Sequence, residues 1–190
     1  MTAFRLASAL DRRLSSRLAI PPRSGRMWFT LRLLSHSGDS LLWVLGAGAA
    51  MVCAGEIGWQ VGWRILGGTL FPGTVVIALK GLFRHRRPPL GPYPAPCRDP
   101  DAAASGQKLR VGARLLALDR YSFPSGHAAR ATCVVFLLAP LLPATLAATM
   151  AVWAGLVGLA RVSLQIHFLS DVVFGWLVGM AVGALLWAVI

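Results

Sequence analysis

Long apolar runs separated by short polar clusters set the pattern of this chain. Five runs approach the roughly 20 residues that a helix needs to cross a hydrocarbon layer of about 30 Å. They are Leu41 to Ile57, Val61 to Phe83, Gly126 to Leu142, Ala144 to Leu164 and Phe168 to Ile190. The first is interrupted at Glu56, and the second carries Arg64 and Lys80 near its ends. Pro140 and Pro143 predict a tight link between antiparallel neighbours, because proline cannot continue the helix before it; the link between the first two runs is expected near Gly58. Ahead of the runs, Leu6, Leu10, Leu14 and Leu18 recur every four residues with Arg12, Arg13 and Arg17 between them. That spacing predicts an amphipathic surface helix over Phe4 to Ile20, with a disordered basic tail as the alternative. A sixth span around Met27 to Ser40 is disfavoured by Arg32, His36 and Asp39. The pattern divides the chain into a basic N-terminal segment, residues 1–40, and a membrane domain, residues 41–190, with one long connection at 84–123. The fold class expected is all-α, a polytopic membrane bundle of about five transmembrane helices with an N-terminal amphipathic segment.

Composition sharpens this picture. Apolar residues make up 56% of the chain and charged residues 14%, and the mean hydropathy is +0.63, far from the balance of a soluble domain. The net charge of +12 would suggest nucleic acid on a soluble surface. Here nearly all the basic residues fall within 1–40 and 80–123, and from Ala131 onward Arg161 and Asp171 are the only formal charges. The partners expected are therefore the membrane and an anionic lipid, not nucleic acid. The arginine-rich first 40 residues lack the apolar core of a secretory signal. Cys53, Cys97 and Cys133 show no CxxC pair or Cys/His spacing and read as spectator thiols.

Ionisable residues at span ends are expensive and point to function, and three such clusters occur. KGLFRHRRP runs from Lys80 to Pro88, YSFPSGHAARA from Tyr121 to Ala131, and RVSLQIHFLSD from Arg161 to Asp171. Alternating traversal brings all three to one membrane face. Lys80, Arg87 and Arg161 offer cationic donors suited to phosphoryl oxygens. Ser125 and Gly126 open a helix whose first N–H groups have no internal partner and attract an anion. His167 and Asp171, four apart and read as sharing one helical face, suggest an imidazole nucleophile with its orienting carboxylate. His127 is placed to protonate a departing oxygen. No metal or other cofactor is expected, since phosphoryl transfer mainly requires positioning and charge compensation. The long connection, about forty residues with six prolines from Pro88 to Pro100, reads as functional because polar chemistry bounds both ends.

The ordered pattern Lys80-x6-Arg87-Pro88, Pro124-Ser125-Gly126-His127 and Arg161-x5-His167-x3-Asp171 resembles the three-part signature of the type 2 phosphatidic acid phosphatase superfamily over roughly Leu41 to Ile190. The resemblance implies that His167 forms a phosphohistidine, that Asp171 holds and activates it, and that His127 protonates the leaving group and then activates water. It implies that Lys80, Arg87, Ser125, Gly126 and Arg161 bind the phosphoryl oxygens. Ala160 stands where the family usually has serine. Asp119 to Phe123 leading into Pro-Ser-Gly-His, together with Ser37-Gly38-Asp39, resembles the branch acting on polyisoprenoid diphosphates, including presqualene diphosphate. The expected function is hydrolysis of a lipid phosphate or diphosphate entering laterally from the membrane. Phosphatidate or phosphatidylglycerophosphate is the alternative substrate, and a catalytically silent scaffold or lipid-binding protein is the alternative of another class. Charge confined to one face argues against a transporter. Positive-inside bias expects the catalytic face in the cytoplasm. Arg84, His85 and Arg86 are read as surface or headgroup contacts, Arg130 as support or headgroup contact, and His36 is left unassigned. Trp28, Trp43, Trp59, Trp63 and Trp187 are read as interfacial anchors.

Overall fold

Among the described residues, 3–20, 25–88 and 121–189, the computed structural model has seven α-helices. In chain order they are α1 (Ala3–Arg17), α2 (Gly25–His36), α3 (Ser40–Cys53), α4 (Gly55–Phe83), α5 (Gly126–Leu138), α6 (Ala144–Ser163) and α7 (Leu169–Trp187). A 3₁₀ turn, Ala139–Leu141, extends α5. The five apolar runs thus become α3 to α7, and the architecture is an all-helical membrane bundle. By length and composition α4, α6 and α7 are able to cross a membrane, whereas α3 and α5 are shorter apolar helices. Leu41, Leu45, Val52, Leu70, Leu82 and Leu185 face outward, a surface that lipid covers at no hydrophobic cost.

Two boundaries depart from the sequence reading. The link expected near Gly58 lies instead at Ala54–Gly55, where Gly55 takes φ +57°, a left-handed conformation that suits a residue without Cβ. Gly58 is inside α4 and lets it close on α3, since a Cβ there would fall 2.0 Å from the Ala50 carbonyl oxygen. The stretch around Met27 forms a helix that the pattern did not predict, although its 12 residues are far too few to span. The leucine stripe on α1 stays outward at Leu10, Leu14 and Leu18, and the helix docks through its polar positions 11 and 15.

Helix α5 is the hub, packed between α4, α6 and α7, with Ala128, Ala129, Cys133 and Leu137 wholly buried. Small residues allow this closeness, as in membrane helix pairs where short side chains let backbones meet. On α7, Gly175, Gly179 and Gly183 recur every four residues; a Cβ at Gly175 would sit 2.6 Å from the Ser125 carbonyl oxygen and one at Gly179 2.4 Å from that of Ala129. This seam presses the start of α7 against the start of α5. The connection after α4 is clasped at its base, with the Ser122 N–H donating to the His85 carbonyl at 2.8 Å and the Ser122 hydroxyl to that of Arg86 at 3.1 Å. The central part of that connection, including Cys97, Asp119 and Arg120, lies outside the described residues.

Candidate active site

The three clusters meet where the end of α4, the start of α5 and the α6–α7 turn converge. Helix α4 ends because Arg84 turns into the left-handed region, φ 46°, its N–H closing on the Lys80 carbonyl at 3.0 Å. Lys80, one turn before, is buried at 2% exposure. One turn earlier still, Val76 lies 3.5 Å from where a Gly126 Cβ would stand, so this face of α4 leads to the first turn of α5. Arg87, also buried, donates from Nη1 to the Ile166 carbonyl at 2.9 Å and thereby ties the first cluster to the third. Ser125 ties the second to the third, its N–H donating to the Asp171 carbonyl at 2.9 Å. The Ser125 hydroxyl is buried and makes no hydrogen bond among the described residues. A buried donor left this way lacks an acceptor, and a phosphoryl oxygen at this helix N-terminus would supply it.

After α6, Gln165 takes φ 54° and folds the chain back, so that the Arg161 carbonyl accepts from the His167 N–H at 3.3 Å. His167 therefore precedes α7 and does not share a helical face with Asp171, contrary to the sequence reading. Asp171 sits in the first turn of α7, where its Oδ2 accepts from the Phe168 N–H at 2.9 Å and lies 3.6 Å from His167 Nδ1. The cap holds the carboxylate beneath the imidazole, which leaves Nε2 for a nucleophilic lone pair. Burial above all, then the nearby Arg87 and Arg161 charges, pulls His167 down to about 3 against the pull of Asp171, so the ring is neutral at ordinary pH. Both side chains are essentially sealed, at 2% and 0% exposure.

Five contributors were given no part in the site by the sequence reading. Ser35 on α2 accepts from Arg161 Nη1 at 3.0 Å. Asp11 and Ser15 on α1 cap α7, taking the Ser170 N–H at 3.0 Å and the Leu169 N–H at 2.9 Å. His85, read as a surface contact, lies with Nδ1 3.6 Å from Asp171 Oδ1 and is hydrogen-bonded to the Ser122 hydroxyl at 3.1 Å. Asp39 reaches His127. His36, left unassigned, pairs with the same Asp39. The signal for the acids was rarity: a chain with 7 acidic residues places Asp11, Asp39 and Asp171 around one site.

Asp171 raises the His85 pKa above the ordinary 6.5. Its stabilising contribution is then complete below pH about 6.5 and disappears as pH rises through the raised value. The Tm in detergent is expected to fall across that interval, and to fall less in His85→Gln; parallel curves for the two proteins would remove the pairing.

Residues 61–190 match the PAP2 superfamily. Two solved structures share the fold. One is the first transmembrane PAP2-type phosphatidylglycerolphosphate phosphatase from Bacillus subtilis, with 21% identity and a TM-score of 0.69 over 96% of this chain and 85% of that one. The other is LpxE from Aquifex aeolicus, with 19% identity and a TM-score of 0.65 over 93% of both chains. With the matched region covering most of the chain and holding all three clusters, the protein belongs to the PAP2 superfamily.

Proposed function

We propose that this protein is an integral-membrane phosphatase that removes a phosphate from a lipid phosphate or diphosphate through a phosphohistidine. The observation that carries the reading is the convergence of a neutral, carboxylate-backed His167 with the unfilled Ser125 hydroxyl and the Arg87 and Arg161 side chains. His167 Nε2 would attack phosphorus as the bond to the lipid oxygen breaks, with His127 giving that oxygen a proton. Water would then attack phosphorus, giving its proton to His127 as the bond to Nε2 breaks. Lys80, Arg87, Arg161 and the first turn of α5, through Ser125 and Gly126, would hold the phosphoryl oxygens. In this arrangement residues 41–190 act as the phosphatase domain and the basic residues 1–40 as an accessory surface segment. A polyisoprenyl diphosphate is the favoured substrate, on the residues Ser37-Gly38-Asp39 and 119–123.

The test is phosphate release by the purified protein in detergent from a polyisoprenyl diphosphate, a phosphatidate and a phosphatidylglycerophosphate. Fastest turnover of the first is expected, with excess EDTA changing the rate less than about twofold, because Lys80, Arg87 and Arg161 would compensate the charge and Asp171, the one carboxylate of the three clusters, is committed to His167. Release from none would overturn the phosphatase, and a strict magnesium requirement would overturn the mechanism. We place the protein in the inner membrane with its catalytic face in the cytoplasm, which the arginine-rich N-terminus favours. The contacts of Asp11 and Ser15 with α7 support setting that segment on the catalytic side. With native cysteines replaced, Ser105→Cys is expected to resist a membrane-impermeant thiol reagent in intact cells; labelling would reverse the orientation.

A further inference from the structure

Asp39 lies outside the three clusters and outside the matched region, yet it makes a direct contact with a reacting group. Its Oδ1 accepts from His127 Nε2 at 2.5 Å, and its Oδ2 accepts from His36 Nδ1 at 2.8 Å. The turn that delivers it is built. The Ser37 carbonyl accepts from Trp43 Nε1 at 3.0 Å, and the Ser37 hydroxyl accepts from Trp153 Nε1 at 2.9 Å while donating to the Leu34 carbonyl at 2.7 Å. The two indoles lie against each other at 5.2 Å, so Trp43 braces this turn. Gly38 fits because a Cβ there would meet Val157 Cγ1 at 2.9 Å and His127 Cδ2 at 3.5 Å. The hydrogen bond to His127, above all, holds the Asp39 carboxyl well below the usual range, and an ionised carboxylate only accepts.

We propose that Asp39 is the positioning residue for His127, fixing it with its proton on Nε2 so that Nδ1 is the nitrogen that exchanges a proton with the substrate. The inference rests on the phosphatase reading and specifies its acid–base half. The Nε2–Cδ2 edge of the ring faces the Gly38–Asp39 turn, which leaves Nδ1 on the opposite side. As His167 Nε2 bonds to phosphorus and the P–O bond breaks, cationic His127 gives its Nδ1 proton to the leaving oxygen and keeps Nε2–H on Asp39. As water bonds to phosphorus and the P–N bond breaks, Nδ1 recovers a proton from that water. Arg161 on α6 and Arg130 on α5 bear on His127 with like charge. Asp39, backed by His36, is the opposing charge that makes the cationic step accessible.

Asp39→Asn tests this, since asparagine keeps the size of the side chain ahead of α3, where Asp39 makes no capping hydrogen bond, but carries no charge. With a lipid phosphate, kcat is expected to fall about 100-fold with KM within about threefold. With p-nitrophenyl phosphate, whose leaving group needs no proton, the first turnover should stay within about threefold of wild type and appear as a burst before a slowed steady state. Equal losses on both substrates, a change in KM alone, or unchanged kcat would overturn the proposal. ¹⁵N NMR of histidine-labelled wild type gives a readout that needs neither turnover nor a variant. A protonated Nε2 with an unprotonated Nδ1 on neutral His127 is expected, and the opposite tautomer would overturn it. Wild type inactive on every lipid phosphate would instead sink the phosphatase reading, while the tautomer still reports on Asp39.

Discussion

Replacing His167 with alanine is expected to lower phosphate release by at least about a thousandfold while the protein remains folded in the membrane. The loss would be this large because no other imidazole combines a sealed neutral ring with a carboxylate beneath it and two guanidinium groups beside it. The fold should survive, because Asp171 keeps the Phe168 N–H at 2.9 Å and His85 on its other oxygen. Asp171→Asn retains a cap but not the charge that selects the imidazole tautomer, and a loss of about 100- to 10,000-fold is expected. Phosphate release and acid quenching of radiolabelled enzyme during turnover check both variants. Label bound covalently by the alanine variant, or turnover within tenfold of wild type, would mean that another residue attacks phosphorus.

The second large effect concerns space rather than chemistry. Gly175→Ala is expected to reduce kcat at least tenfold and to lower Tm by several degrees, because overpacking costs about 1–3 kcal/mol. The added methyl would stand 2.6 Å from the Ser125 carbonyl oxygen. Backbone cannot yield there as a long side chain would, so α7 must back away from α5. That movement stretches the Ser125 N–H bond to the Asp171 carbonyl and separates the proposed phosphate cradle from the carboxylate behind the proposed nucleophile. Gly155→Ala, with nothing within 4 Å, is the control and should match wild type. Full activity in Gly175→Ala would show that the seam does not set the catalytic geometry.

Much of this was legible before any coordinates. Apolar run length alone located α3 to α7, because a helix in lipid must satisfy its own backbone and cannot be disguised by tertiary context. The eight candidate site residues could be named in advance because they fall in three polar clusters at span ends and resemble an ordered family signature, and the structure brings those clusters together. What stayed hidden had no periodic signal. Asp11, Ser15 and Ser35 act through one or two hydrogen bonds each to residues more than a hundred positions away, and such pairings arise only once the helices dock. His85 was lost inside a basic run that also resembles a positive-inside anchor. The shared-face reading of His167 and Asp171 failed because a spacing of four fits both a helical turn and a cap reaching back over a helix start. Helix α2 was missed because Met27 to Ser40 is weighed only as a span, which its polar residues disfavour, and a helix shorter than a span leaves no run-length signal.

The clasp between His85 and Ser122 has a consequence best expressed in polymer terms. The chain between them is a closed loop whose ends are already paid for by their own hydrogen bonds, and closure entropy grows only with the logarithm of length. Doubling the enclosed segment would cost about 0.6 kcal/mol, less than a single ordinary hydrogen bond. Arg87 lies two residues inside the clasp and Ser125 three residues outside it, and each is also held by its own hydrogen bond, Arg87 to the Ile166 carbonyl and Ser125 to that of Asp171. A longer or shorter connection is therefore expected to leave the His85–Ser122 clasp and the hydrogen bonds of Arg87 and Ser125 in place.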